Sequence, residues 1–324
     1  MSHLDTAENT HQHPAMVSDT FQTARLLIRT GRFPFLAAGF LLYLTGALFA
    51  VRTGTPFSLF SFLAGYLVCG SAHLSVSYSN DYFDRHTDDP SKRTAFSGGS
   101  GILVEHPGLA PAALACAVFL TLVSLTTTAL LIVLWDYSPF VLLFVGAGLF
   151  FGWAYSAPPL RFVDRGLGEL STMAAFGFFL PCSGYLFLAK SLDFSVLPLA
   201  IPLLFLGLFF IVSVELPDAG TDGHTGKRTL VVRFGPRAAL AFGTAAAAFT
   251  TAGFLAAAIM GIQPVPFFAA ASVASLFPVL MGVTGFVQGA GDFRTAEAIT
   301  GRNIVSLIVF CLASVAALLL IVPG

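Results

Sequence analysis

"FSLFSFLAGYLVCGSAHLSVSYSNDYFDRHTDD", residues Phe57 to Asp89, joins a long apolar run to four aspartates within nine positions. The apolar part, 57–79, has the length that an α-helix needs to cross a bilayer. Carboxylates are costly in contact with lipid, so these aspartates must follow the membrane segment or face a polar interior. A second stretch, "VELPDAGTDGHTGKRT" from Val214 to Thr229, repeats the arrangement after another apolar run.

The composition of the chain is that of an integral membrane protein. Of its 324 residues, 56% are hydrophobic and 10% are charged, whereas soluble domains carry about 25% charged residues. The net charge of −1 and the lack of a basic patch with interleaved aromatics give no indication of nucleic-acid binding. We predict one membrane domain over residues 25–324. Residues 1–24 are polar, lack the pattern of a signal peptide and are expected to form a disordered tail.

The four cysteines lie inside apolar runs and lack the spacing of zinc or disulfide sites. We interpret them as small packing residues. They are Cys69, Cys116, Cys182 and Cys311.

Nine apolar segments are long enough to span the membrane as helices. They cover residues 33–51, 57–79, 109–134, 138–156, 167–189, 195–216, 237–260, 264–288 and 303–322. The sequence therefore predicts an all-α integral membrane protein with nine transmembrane helices.

The distribution of Lys and Arg predicts the orientation of these helices. If the N-terminus is cytoplasmic, only Arg52 and Lys190 of the 16 basic residues lie outside. Positive residues concentrate on the cytoplasmic side of membrane proteins. We therefore expect a protein of the cell inner membrane type with its N-terminus inside and its C-terminus outside. Both acidic stretches follow even-numbered segments, so both face the cytoplasm.

The spacing of the acidic residues indicates a metal site. Asn80, Asp84 and Asp88 are four residues apart, and they share one face if the helix continues past the membrane boundary. Asp218 and Asp222 have the same spacing. Clustered carboxylates repel one another unless a cation neutralises them. Mg²⁺ is usually held by one or two carboxylates together with substrate phosphates.

Basic residues follow each acidic group, as a diphosphate ligand would require. Lys92 and Arg93 follow the first group, and Lys227 and Arg228 follow the second. Both residue types bind phosphate oxygens. We predict that the two stretches are halves of one metal–diphosphate site. In the simpler alternative these charges only solvate loop ends, which does not explain the regular Asn/Asp spacing.

Three segments resemble the UbiA superfamily of intramembrane prenyltransferases. "NDYFDRHTDD" resembles its N-D-x-x-D-x-x-x-D motif, matched at Asn80, Asp81, Asp84 and Asp88. "DAGTDGHTGKRTLVVRFG" is similar to its second motif, matched at Asp218, Asp222, Gly226, Lys227, Arg228 and Thr229. "YSAPPLRF", Tyr155 to Phe162, resembles its tyrosine–proline–basic segment.

The resemblance implies nine helices around a central cavity, capped by two cytoplasmic loops. It implies Mg²⁺-dependent transfer of a prenyl group from an isoprenyl diphosphate to an acceptor, often aromatic, at the bilayer. The implied Mg²⁺ ligands are Asn80, Asp84, Asp88, Asp218 and Asp222, and the implied catalytic residues are Asp84, Asp88, Asp218, Asp222 and Lys227. The implied substrate-binding residues are Asn80, Asp81, Lys92, Arg93, Arg161, Arg228 and Tyr155.

The acceptor site is less defined. His73 lies two helical turns before Asn80, deeper in the membrane. Ionisable residues inside membrane helices usually face the bundle interior. His73 either contacts the carboxylate or hydroxyl of the acceptor or hydrogen-bonds a neighbouring helix. Tyr155 and Glu215 are further candidates.

"FSGGSGILVE", Phe96 to Glu105, differs from the R-P-L segment of members that use 4-hydroxybenzoate. Its glycines either let backbone N–H groups approach phosphate or only turn the chain. With "GKRTLVVRFG", the segment resembles the menaquinone-biosynthesis branch, which prenylates 1,4-dihydroxy-2-naphthoate with loss of its carboxyl group.

Three alternatives to this function differ in how well the sequence fits them. Other acceptors of the superfamily, namely 4-hydroxybenzoate, haem, chlorophyllide and glycerol-phosphate lipid, fit the same motifs. A transporter would place its ionisable residues near the midplane of broken helices, whereas these acids cluster at one interface. The D-G-x-x-A-R pattern of CDP-alcohol phosphatidyltransferases is not matched after Asp222.

Overall fold

A computed structural model describes residues 16–88, 93–94 and 96–320. Lys92, a predicted substrate-binding residue, lies outside these described residues. The described residues form helices and contain no β-strand. The helices are α1 (Met16–Thr30), α2 (Phe33–Arg52), α3 (Leu59–Asp84), α4 (Ile102–Glu105), α5 (Ala110–Trp135), α6 (Phe140–Ser156), α7 (Gly168–Ala174), α8 (Leu180–Ala189), α9 (Leu197–Glu215), α10 (Ala219–Thr225), α11 (Leu230–Ile259), α12 (Val265–Ala274), α13 (Leu276–Gln288) and α14 (Phe293–Leu320).

The helices confirm the predicted membrane fold. Within the described ranges, eight helical segments are long and apolar enough to cross a membrane. The remaining predicted segment is α6, an apolar helix of 17 residues. At about 1.5 Å per residue α6 is roughly 26 Å long, which is at the short end of the range for a membrane span.

Several helices extend beyond their apolar segments. Helix α3 continues to Asp84, and α14 begins at Phe293, where the side chain of Asp292 accepts the N–H of Thr295 at 2.9 Å. Helix α11 begins at Leu230, after Thr229 accepts the N–H of Val232. Apolarity marks only the membrane part of a helix, whereas caps decide where its hydrogen bonding begins.

Helix α1 corrects part of the predicted N-terminal tail. The helix starts at Met16, so residues 16–24 are helical rather than disordered. Its C-terminal part packs on α3, where the Tyr78 hydroxyl donates to the carbonyl of Leu27 at 2.9 Å. Leu27 also packs against the apolar cluster that contains Tyr78. These tertiary contacts stabilise the helix, as amphipathic helices in proteins generally require.

The segment 168–189 is not a uniform helix. Between α7 and α8, residues Ala175–Phe179 form a π-helical turn just before Pro181. Proline lacks an N–H and clashes with the carbonyl four residues earlier. The wider turn lies at that position and places Phe176 and Phe179 on the wall of a cavity.

Helices α2 and α8 are in backbone contact. A Cβ atom at Gly46 would overlap the carbonyl of Pro181, and one at Gly184 would overlap the carbonyl of Tyr43. Small residues allow membrane helices to approach this closely. The contact holds α8 against α2 and leaves the central cavity between α2, α3, α6, the α7–α8 segment and α9.

Candidate active site

The central cavity has a volume of about 340 Å³ and combines an apolar interior with an acidic end. The apolar interior includes Phe144, Phe176 and Phe179. At the acidic end, both predicted stretches contribute side chains to the same cavity. These residues are Asn80, Asp81, Asp84, Asp88, Asp218, Asp222 and Lys227.

The first stretch remains in helical register although α3 ends at Asp84. The N–H of Asp88 donates to the carbonyl of Asp84 at 2.9 Å. Asp88 therefore stays on the cavity side, one turn beyond the helix. Asp84 is buried, and its Oδ2 accepts a hydrogen bond from the Ser156 hydroxyl at 2.7 Å. Arg161 Nη2 lies 3.9 Å from the other oxygen of Asp84.

The second stretch forms the short helix α10. The N–H of Asp222 donates to the carbonyl of Asp218 at 2.8 Å, so the two carboxylates lie one turn apart. Asp222 is 5% exposed. The predicted spacing of the two aspartates thus places both on the cavity wall.

A glycine-rich loop before α4 connects the two acidic stretches. The N–H of Gly98 donates to Oδ2 of Asp218 at 3.0 Å. The N–H of Ser100 donates to Oδ1 of Asp81 at 3.0 Å, and the Ser100 hydroxyl also binds Asp81. Gly99 has φ +66°, and a Cβ atom there would overlap Oδ2 of Asp88. The loop therefore directs two N–H groups at carboxylates of different stretches.

Lys227, which belongs to the second stretch, contacts aspartates of both stretches. Its Nζ is 3.3 Å from Oδ1 of Asp222 and 3.8 Å from Oδ1 of Asp88. Burial disfavours the charged ammonium, but the carboxylates of Asp84, Asp222 and Asp88 outweigh this effect and raise the pKa of Lys227. Lys227 is therefore charged at neutral pH.

One ammonium does not neutralise the carboxylates around it. Burial and the carboxylates of Asp84 and Asp81 raise the pKa of Asp88 to about 7, although Lys227 opposes the shift. Burial and the Asp222 carboxylate raise the pKa of Asp218 to about 6. Burial is the larger cause of both shifts and the neighbouring carboxylates add to it, so a bound cation would lower the pKa of both aspartates.

The residues present fit a divalent cation that is shared with a ligand. Oδ1 of Asn80 and Oδ1 of Asp84 are buried without a hydrogen-bond partner. In the described part of the chain, no three His, Cys, Asp or Glu side chains are grouped closely enough to enclose a metal. A hard cation such as Mg²⁺ does not need such a cage when ligand phosphates complete its coordination.

Of the other predicted site residues, some line the cavity and others do not. His73 and Tyr155 line the cavity, and His73 makes no hydrogen bond among the described residues. Arg161 contacts Asp84 from behind the cavity wall and also binds Asp164 at 2.5 Å. Arg93 and Arg228 are exposed and do not line the cavity.

Three cavity features were missed or undervalued in the sequence. Arg32 lines the cavity and donates to the carbonyl of Phe96 at 3.3 Å, although its position suggested only a cytoplasmic charge. Ser156 supports Asp84 from inside the quoted segment "YSAPPLRF". Glu215 lines the cavity with both carboxylate oxygens buried and unpartnered. Only the contacts between distant helices reveal these roles.

Comparisons with known proteins agree with this architecture. The UbiA prenyltransferase family matches residues 40–296. A UbiA homolog from Archaeoglobus fulgidus bound to GPP and Mg²⁺ has a similar fold, with a TM-score of 0.63, 16% identity, and coverage of 91% of this chain and 100% of that one. The same homolog bound to DMAPP and Mg²⁺ gives a TM-score of 0.63 and 16% identity, with coverage of 91% and 99%.

A second homolog is also similar. The apo structure of a UbiA homolog from Aeropyrum pernix K1 has a TM-score of 0.55 and 17% identity, and the match covers 83% of this chain and 96% of that one. At these identities the likeness concerns the fold. The comparison with curated proteins gave no match.

The fold and the cavity define a helical membrane protein whose interior joins an apolar chamber to an acidic site suited to a cation. The family match covers most of this fold and includes both acidic stretches. The chain belongs to the UbiA prenyltransferase family.

Proposed function

We propose that the protein transfers a polyprenyl group from an isoprenyl diphosphate to an aromatic acceptor in a Mg²⁺-dependent reaction. The observation that carries this proposal is the convergence of two distant acidic stretches on one cavity, with Lys227 between Asp88 and Asp222. The acidic end suits a metal-bound diphosphate, and the apolar interior suits a hydrocarbon chain.

The proposed Mg²⁺ ligands are Asn80, Asp84, Asp88, Asp218 and Asp222. The unpartnered oxygens of Asn80 and Asp84 support this assignment. So do the structures of the Archaeoglobus homolog, which hold Mg²⁺ with GPP or with DMAPP. When bound, Mg²⁺ neutralises the negative charge that grows on the diphosphate as it leaves.

Lys227 is the basic residue best placed to bind the leaving diphosphate, because its ammonium already lies among the carboxylates. Arg161 orients Asp84 at 3.9 Å. The exposed Arg93 and Arg228, together with Lys92, are proposed to attract the diphosphate to the cavity. Preorganised positive charge stabilises a leaving group most effectively where water is excluded.

The reaction breaks the allylic C–O bond, and the diphosphate leaves with the electron pair. The positive charge that develops on the isoprenyl carbon is stabilised by aromatic faces. Phe176 and Phe179 supply such faces on the cavity wall. The apolar chamber excludes the water that would quench this carbon.

The proposed acceptor is 1,4-dihydroxy-2-naphthoate, as in menaquinone biosynthesis. The resemblance of "FSGGSGILVE" and "GKRTLVVRFG" to that branch supports this choice. His73 and Tyr155 line the cavity and are proposed to contact the acceptor. The Lys/Arg distribution further supports a protein of the cell inner membrane type with a cytoplasmic N-terminus, cytoplasmic active-site loops and an outside C-terminus.

The test is an acceptor panel with the purified protein in lipid nanodiscs. Mg²⁺ and polyprenyl diphosphates of several lengths are supplied, and products are identified by mass spectrometry. We expect prenylated dihydroxynaphthoate that has lost its carboxyl group, and no product after chelation of Mg²⁺. Absence of turnover with every aromatic acceptor would reject an aromatic prenyltransferase, and flux across liposomes without turnover would favour transport.

A further inference from the structure

Glu215 is a buried carboxylate with no partner inside the cavity. It is the last residue of α9, three positions before Asp218, and is 5% exposed. Both Oε atoms lack a hydrogen-bond partner. Burying a carboxylate without hydrogen bonds is costly, so such a group is expected to meet a partner that binds later.

Asp81 provides an internal comparison. It stands three positions before Asp84, as Glu215 stands three positions before Asp218. Asp81 is also 5% exposed, but the N–H and hydroxyl of Ser100 bind its carboxylate. Glu215, the corresponding residue of the second stretch, is therefore equally buried but has no hydrogen-bond donor bound to its carboxylate among the described residues.

Neighbouring charged groups do not satisfy Glu215. The ammonium of Lys227 is within ion-pair distance of Asp88 and Asp222, and no such pair to Glu215 occurs among the described residues. The nearby Glu169 accepts the N–H of Leu230 and so caps α11. The charges that act on Glu215 are those of Glu169, Asp222, Lys227 and Asp218.

Glu215 lies between the acidic end and the apolar chamber. Ile211 and Val214, which precede it on the same helix, line the cavity toward the apolar chamber, and Asp218, which follows it, lines the acidic end. This is the level at which the reacting carbon of an isoprenyl chain would lie if its diphosphate is bound by Asp218 and Asp222. An acceptor ring beside that carbon would meet Glu215.

We propose that Glu215 binds the hydroxyl group of the aromatic acceptor and takes its proton during prenyl transfer. This inference rests on the proposed function and adds the residue that activates the acceptor. A carboxylate is a strong hydrogen-bond acceptor, and a deprotonated hydroxyl makes its ring a better nucleophile. Glu215 is then a catalytic residue rather than a metal ligand.

The step balances in atoms and electrons. The C–O bond to the diphosphate breaks, and the diphosphate takes the electron pair. A ring carbon of the acceptor forms the new C–C bond while the hydroxyl proton passes to Glu215, which leaves a cyclohexadienone. Loss of the ring carboxylate as CO₂ leaves its bonding electron pair on the ring and restores aromaticity, and the oxygen regains its proton from Glu215.

The test compares Glu215→Gln with Glu169→Gln. Glutamine keeps the size and a hydrogen-bond acceptor but cannot take the proton. We expect Glu215→Gln to lower kcat with the aromatic acceptor by about 100-fold or more, the scale of general-base catalysis. Stabilisation of the protein by Mg²⁺ and isoprenyl diphosphate in a thermal-shift assay should be unchanged. Glu169→Gln removes another buried carboxylate outside the cavity wall and should retain turnover.

A series of acceptors with increasingly acidic hydroxyl groups separates base catalysis from a structural role. The defect of Glu215→Gln should shrink as the hydroxyl becomes more acidic, because less help is needed to remove its proton. A normal rate for Glu215→Gln, or an equal defect for every acceptor, would overturn the inference.

Two further outcomes remain decisive. If Glu215→Gln does not fold, Glu215→Asp takes its place, because it retains a carboxylate on a shorter side chain. Glu215→Asp should show a reduced rate whose defect shrinks as the acceptor hydroxyl becomes more acidic. A wild-type rate in Glu215→Asp would reject the assignment. Failure of the proposed function itself is distinguishable, since the wild-type protein would then prenylate no aromatic acceptor.

Discussion

The Nζ atom of Lys227 lies 3.8 Å from Oδ1 of Asp88. Lys227 belongs to the second acidic stretch and Asp88 to the first, so this contact joins two parts of the chain that are far apart in sequence. The same ammonium lies 3.3 Å from Asp222. The two halves of the site are therefore held together electrostatically by the protein itself.

Replacing this ammonium should weaken both stability and turnover. In Lys227→Met, the buried Asp222 and the partly buried Asp88 lose their cation. We expect turnover to fall by about 100-fold or more, the scale of losing one preorganised charge. We also expect a lower melting temperature in the absence of Mg²⁺, partly restored by adding it. Lys190→Met, at an exposed lysine outside the cavity, serves as the control and should keep turnover. A normal rate in Lys227→Met would contradict this role.

Removing one carboxylate from either stretch should abolish prenyl transfer. Asp84→Asn and Asp222→Asn each remove a negative charge from the proposed metal site. We expect each to lower turnover by roughly 1,000-fold, several kcal/mol of transition-state stabilisation, while the protein still elutes as a folded species. Asp136→Asn, at an exposed aspartate, is the matched control. Near-normal turnover in either cavity variant would rule out the shared metal site.

Adding a methyl group at Gly99 should damage the site without unfolding the protein. Gly99→Ala combines an unfavourable φ of +66° with overlap between its Cβ atom and Asp88. Gly261→Ala has a similar φ of +72° but open space around its Cβ atom. Each change should cost about 1 kcal/mol of stability from the backbone alone.

Turnover separates these two glycine variants. Only Gly99→Ala should lose most of its activity, because only there does the methyl group displace a carboxylate. Equal activities would show that the position of Asp88 is not set by this loop.

Ser156 should tune the metal site through Asp84. Its hydroxyl donates to Oδ2 of Asp84 at 2.7 Å and so fixes the orientation of the Asp84 carboxylate. The other oxygen of this carboxylate, Oδ1, has no hydrogen-bond partner within the described part of the chain. Ser156→Ala should weaken Mg²⁺ affinity by about 10-fold, as for other groups that orient metal ligands. Titration of turnover against Mg²⁺ concentration measures this change. Ser306→Ala, at a buried serine on α14 outside the cavity, should leave the titration unchanged.

His73 provides a test of acceptor binding. His73→Phe keeps an aromatic ring on the cavity wall but removes its hydrogen-bonding nitrogens. If His73 binds the acceptor, the KM for the acceptor should rise by about 10-fold, equivalent to roughly 1.4 kcal/mol, with no change in the KM for the isoprenyl diphosphate. His106→Phe, at an exposed histidine, is the control. An unchanged acceptor KM in His73→Phe would remove His73 from the acceptor site.

The fold and half of the site's geometry follow from local sequence. Apolar runs long enough to span a bilayer predict the membrane helices, because lipid offers the backbone no hydrogen-bond partners and a helix satisfies its N–H and C=O groups internally. The four-residue spacing of Asn80, Asp84 and Asp88 predicts a shared face because a helix repeats every 3.6 residues. The packing of α1 was not predictable in this way, because its Leu27 carbonyl is bound by Tyr78 of the distant helix α3.

Basic residues show the limit of this reasoning. Lys227 and Arg228 are adjacent and carry the same charge in the sequence, yet Lys227 enters the carboxylate cluster and Arg228 is exposed. The direction of a side chain in a loop is set by the path of the backbone. The backbone N–H of Arg228 donates to the carbonyl of Val163 at 2.9 Å, a contact with another part of the chain.

By itself, the sequence determined that this chain crosses a membrane and which acidic side chains share a helical face, because bilayer thickness and helical periodicity act on neighbouring residues. Only the tertiary structure decided that Gly98 and Ser100 bind carboxylates of different stretches, and that Asp81 is satisfied while Glu215 is not. These contacts join distant segments whose relative positions depend on helix packing, which no local pattern encodes.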